Sequence, residues 1–171
     1  MHRVSHNFII AALSKAVLVL IGLVTIGILT RYLGPFGYGH YSAVFAYLYI
    51  FATLADMGLA SVLVRDISVP GANEKEITSQ IFSLRLVLIF TAVVIADLLV
   101  LLFPYPSEVK IAIWVGSLFA FISSLSQVII GIFQKHLRLY YVSLADVVSR
   151  LIQLSLLIIL IHFRPNLIAF I

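Results

Sequence analysis

Apolar positions along this chain fall into long uninterrupted runs instead of alternating or heptad patterns, and each run is about the length needed to cross a bilayer, roughly 20 residues. The runs cover 8–33, 41–64, 81–103, 111–133 and 141–163. Between them stand residues that stop helices: Gly34, Pro35, Gly37 and Gly39; then Pro70, Gly71 and Asn73; then Pro104 and Pro106; then the polar stretch from Gln134 to Arg138. The pattern predicts an all-α integral membrane protein, a polytopic bundle of five transmembrane helices. The first run exceeds a signal-peptide core and lacks a small-residue cleavage site, so it reads as a retained helix. After 163 the chain continues with Arg164, Pro165 and Asn166 and a short apolar stretch to Ile171, which reads as the start of a sixth helix.

Composition supports the pattern. Hydrophobic residues make up 63% of the chain and charged residues 11%, with a mean hydropathy of +1.17, far outside soluble globular usage. The net charge of +4 comes from eleven Lys and Arg scattered between the apolar runs, with no basic stripe, so nucleic acid is not an expected partner. With no Cys there is neither a disulfide framework nor a thiolate site. Lys and Arg in short loops place the N-terminus in the cytoplasm, with Arg3, Arg65, Lys75, Lys135 and Arg138 inside against Arg31, Lys110 and Arg164 outside.

Ionisable groups inside apolar helices are costly and mark function or a specific partner. By helical rise, Lys15, Gln127 and Asp146 lie about 8–10 Å deep, Asp56 about 12 Å and Arg150 about 14 Å, with Arg85 shallower, all in the cytoplasmic half. Faces agree with depth. Tyr49, Thr53 and Asp56 line up on the second helix; Ser117, Ala120, Ser124, Gln127, Gly131 and Gln134 form a small and polar stripe on the fourth; Ser143, Asp146, Arg150 and Gln153 share a face of the fifth. The stripe on the fourth suits close helix packing or the wall of an aqueous cavity. These residues outline a polar cavity lined by Asp56, Ser124, Gln127, Asp146 and Gln153, with Lys15, Arg85 and Arg150 as its cations. The competing reading is structural: Asp146 pairs with Arg150, four residues on, and Asp56 neutralises Lys15 or Arg85. Asp97 stands apart in the outer half and is expected to reach the interface or a neighbouring helix.

Catalytic and metal chemistry have no foothold in the pattern. The five His form no ligand set on one helix, and no nucleophile triad, phosphate loop or carboxylate pair stands out. No metal, cofactor or enzymatic activity is expected.

Two segments carry a family likeness. Arg31-Tyr-Leu-Gly-Pro-Phe-Gly-Tyr-Gly-His-Tyr41 follows the first helix, and Ala55-Asp-Met-Gly-Leu-Ala-Ser-Val-Leu-Val-Arg65-Asp66 closes the second. Together they resemble bacterial polysaccharide flippases, the Wzx-type members of the multidrug/oligosaccharidyl-lipid/polysaccharide exporter superfamily. The resemblance implies a two-lobe fold of which this chain is the first lobe, the second lobe being absent. It further implies a polyprenyl-pyrophosphate-linked oligosaccharide, such as an O-antigen repeat unit, as the cargo flipped across the bacterial cytoplasmic membrane. Lys15, Arg85 and Arg150 would then meet the pyrophosphate, and other polysaccharide-assembly membrane proteins would be partners. Two alternatives stay open: a drug or metabolite exporter of the same superfamily coupled to an ion through Asp56, and a non-transporting fragment or helper subunit.

Overall fold

The computed structural model describes residues 2–136, 139–163 and 170, with side chains from residue 14 onward except at 139. Its elements are α1 (His2–Asp56), α2 (Leu59–Ile67), α3 (Glu74–Leu99) continued by a 3-10 turn (Val100–Leu102), α4 (Ser107–Lys135) and α5 (Leu139–His162). The described residues contain no strand, as expected where lipid offers the backbone no hydrogen bonds and a helix satisfies its own. Four helical stretches are long and apolar enough to cross a membrane: Ser14–Ile67, Glu74–Leu102, Ser107–Lys135 and Tyr140–His162. Four such stretches stand where five spans are expected, because the first two expected spans fall within one of them, Ser14–Ile67.

The join is a single residue. Gly34, at φ 69 and ψ 177, is the one non-helical position inside α1, and Pro35 restarts the helix immediately. Only glycine occupies that conformation without strain, and proline at the first position of a helix loses no hydrogen bond. The expected multi-residue turn through Gly39 is therefore a sharp break. A second break, unexpected within the predicted span 41–64, separates α1 from α2 at Met57 (φ 41) and Gly58 (φ 81).

Elsewhere the helices outrun their apolar runs. α3 begins at Glu74 and not Ile81 because Asn73 caps it, accepting from the Glu76 amide at 3.4 Å while its own side-chain amide donates to Glu76 Oε2 at 3.1 Å. α4 gains its first turn from Ser107 to Lys110, where Glu108 faces the helix N-terminus. Hydropathy sees the apolar middle of a helix and misses such polar ends.

Residues 35–56 run antiparallel to α3 and parallel to α4. At one end Val44 and Leu48 pack with Val100, Val109, Ala112 and Ile113, with Leu33, Tyr41, Tyr47 and Tyr105 around them. At the other end Leu63 and Ile67 of α2 pack with Ile81 of α3 and Val128 of α4. α4 approaches α2 closely at Gly131, where an added Cβ would lie 2.9 Å from Leu63 Cδ2. α5 packs mainly on α1 and leaves most of its apolar surface outward, as lipid contact requires. Rings gather near the α3–α4 turn, with Tyr47 and Phe103 centroids 6.2 Å apart and Phe103 and Tyr105 5.9 Å apart; this is the arrangement of an aromatic belt at a membrane interface.

Candidate functional site

Between residues 45–56, α3 and α4 lies a cavity of about 720 Å³. Its wall on α1 is set by helical spacing: Phe45, Tyr49, Ala52, Thr53 and Asp56 recur every three or four residues and so share one face. From α3 comes Arg85; from α4 come Phe119, Ala120, Ser123, Ser124 and Gln127; Ala60 of α2 closes the end beyond the helix break.

The polar floor is one connected group. The guanidinium of Arg85 donates through Nη2 to Asp56 Oδ1 and through Nε to Ser124 Oγ, the latter at 3.1 Å. Arg85 is almost wholly enclosed, its side chain 3% exposed, whereas Asp56 keeps 32% of its side chain open. A guanidinium so enclosed persists only because the carboxylate meets its charge. Position adds to this. Asp56 is the last residue of α1, where the helix dipole is negative and a carboxylate is unfavourable, and the cation of Arg85 offsets both. One nitrogen of the guanidinium, Nη1, is buried without a hydrogen-bond partner among the described residues.

The stripe on α4 does two jobs in sequence along the helix. Ser117 packs against α3 and donates to Asp97 Oδ2 at 3.1 Å, and Gly131 packs against α2; between them Ala120, Ser124 and Gln127 face the cavity. Asp97 thus finds a neighbouring helix. Trp114 also reaches it, donating from Nε1 to the Asp97 carbonyl at 3.3 Å.

Of the residues singled out from sequence, Asp56, Arg85, Ser124 and Gln127 come together around the cavity; Lys15, Asp146, Arg150 and Gln153 are not among its lining residues. Lys15 and Asp146 are exposed. Arg150 does not pair with Asp146: it donates to Gln153 Oε1 at 2.9 Å, three residues along α5. Of the expected trio of cations, Arg85 lines this cavity, where Asp56 neutralises it. Sequence reading passed over Phe45, Phe119 and Ser123, although Phe45 continues the Tyr49, Thr53 and Asp56 face by one more turn and Ser123 adjoins Ser124. Ala60 gave no signal, because only the break at Met57 and Gly58 turns it inward.

A polar group closes the α2–α3 end of the bundle. Lys135 at the end of α4 pairs with Glu74 at the start of α3, and His136 Nε2 lies 3.9 Å from the same carboxylate. Arg65 and Asp66, at 2.8 Å, form an exposed neighbouring pair of small energetic consequence.

No curated protein and no solved structure matches the chain. One family model does, over residues 4–170, which spans both breaks, the cavity and every helix described above. A membrane-embedded bundle matched over that length belongs to the polysaccharide biosynthesis protein family.

Proposed function

We propose that the chain moves a polyprenyl-pyrophosphate-linked oligosaccharide across the bacterial cytoplasmic membrane and is a transporter, not an enzyme. The observation that carries this is the cavity, whose polar residues Asp56, Arg85, Ser124 and Gln127 lie within helices apolar enough to be surrounded by lipid. Polar groups at such a depth are kept where they meet a polar cargo or water. Family membership supports a role in polysaccharide synthesis or export, and a saccharide carried on a lipid needs this pairing of an apolar exterior with a polar interior path.

The same reading carries a topology. The stretch Ser14–Ile67 contains 54 residues, about 80 Å of helix against a hydrocarbon core of about 30 Å. On this reading it crosses twice, reversing at Gly34, which gives the bundle five crossings, and the Lys and Arg of its loops put the N-terminus in the cytoplasm.

Deletion of the gene from its host, followed by complementation, tests the function. Expected is loss of surface polysaccharide with build-up of the lipid-linked precursor on the cytoplasmic leaflet, both reversed by the wild-type gene. Unchanged surface glycan with raised sensitivity to toxic compounds would favour a drug or metabolite exporter instead, and in that case Asp56→Asn would abolish ion-stimulated efflux.

A further inference from the structure

The charges lining the cavity sum to zero. Among its lining residues only Asp56 and Arg85 are ionic, and they neutralise each other; the remaining polar groups, on Tyr49, Thr53, Ser123, Ser124 and Gln127, are neutral. A pyrophosphate entering here would shed its hydration and meet a carboxylate that is one-third open beside a guanidinium that is covered. The accessible charge repels it.

A sugar ring makes different demands. Its edge carries hydroxyls that both donate and accept, and its face carries C–H groups that prefer an apolar or aromatic surface. The cavity answers both. Asp56 accepts, and the amide of Gln127 donates and accepts. The ring of Tyr49 is 73% exposed on the cavity wall, with Phe45 and Phe119 also lining it, and aromatic rings supply large apolar faces of defined geometry. The volume of about 720 Å³ falls in the range of about 300–1,000 Å³ typical of small-molecule sites.

We propose that this cavity is a subsite for a neutral saccharide, with Tyr49 against the sugar face and Asp56 and Gln127 on its hydroxyls, and that the pyrophosphate of the cargo lies outside it. The assignment rests on the translocation reading for its lipid-linked cargo.

The test uses the full-length gene product in lipid nanodiscs and two probes: the polyprenyl-pyrophosphate-linked oligosaccharide purified from the producing strain, and the same polyprenyl pyrophosphate without sugar. Affinities are measured by thermophoresis. Wild type should bind the sugar-bearing lipid more tightly. Tyr49→Ala and, independently, Gln127→Ala should weaken that binding by about tenfold or more while leaving the sugar-free lipid unaffected, and Tyr49→Phe should bind as wild type. Equal binding of both lipids by wild type, or equal weakening of both by the two alanine variants, overturns the saccharide subsite and leaves translocation standing. If wild type binds neither lipid, translocation itself falls, and the subsite with it.

Discussion

Arg85 is the residue on which the polar floor depends. Its cation is enclosed, so removing either member of the pair strands the other: Arg85→Gln leaves the Asp56 carboxylate at a helix C-terminus, and Asp56→Asn leaves a covered guanidinium. Because Asp56 is one-third open to solvent, the loss should be below that of a fully buried pair, about 2–3 kcal/mol for each single variant. The double variant Asp56→Asn with Arg85→Gln should recover part of that loss. A thermal melt of the four proteins in one detergent measures the coupling. If the single effects add, Asp56 and Arg85 do not act as a pair. Helical depth and face arithmetic were enough to pick both residues from the sequence, since an ionisable group in an apolar run stands out. Which partner each would choose was not legible. Two aspartates and three cations were placed in the same half of the membrane, and spacing along one helix carries no information about its neighbour. Arg150 shows the point: the acid four residues before it was available, yet it bonds Gln153 instead.

Helices here are ended by backbone geometry more than by polarity. Gly34, at φ 69 with no side chain to clash, lets residues 14–33 and 35–56 separate with no loop at all. Gly34→Ala should therefore be strained although an added Cβ would meet nothing within 4 Å, with a cost of about 1–3 kcal/mol; a lower melting temperature than wild type in the same detergent checks it. Gly131 works through space instead. Its added Cβ would press on Leu63 Cδ2, and Leu63 is fully buried. Gly131→Leu should separate α4 from α2 and destabilise by about 1–3 kcal/mol, whereas Gly131→Leu with Leu63→Ala should regain much of it. The approximate centres of the apolar helices were legible because length and hydropathy set them. The break at Met57 and Gly58 was not. Mostly apolar residues run through it from Leu54 to Val64, with Asp56, Gly58 and Ser61 among them, so hydropathy reads one span, and the positive φ angles of two consecutive residues divide it. The break leaves Asp56 at a helix end and brings Ala60 to the cavity wall.

Across the whole molecule, two ends differ in kind. The break at Gly34 lies level with the α3–α4 turn, since Leu33 and Tyr41 pack around the cluster of Val100 and Val109; the α2–α3 turn and the end of α4 lie opposite, tied by Glu74 and Lys135. If residues 14–67 cross the membrane twice, Phe36 and Glu108 share one face of the bilayer, and Lys75 and His136 share the other. If the break were only a bend within one crossing, Phe36 would sit in hydrocarbon. The chain contains no Cys, so a single introduced thiol reports its own position without background. Phe36, Lys75, Glu108 and His136 are all exposed, and replacing each in turn with Cys leaves the core untouched. With a membrane-impermeant maleimide applied to intact cells, Phe36→Cys and Glu108→Cys should label, while Lys75→Cys and His136→Cys should label only after the cells are opened. The reverse pattern would keep the five crossings and invert the protein. Failure of Phe36→Cys to label under either condition, with Glu108→Cys labelling normally, would remove the reversal at Gly34, and residues 45–56 could then no longer present the cavity as part of a separate second crossing.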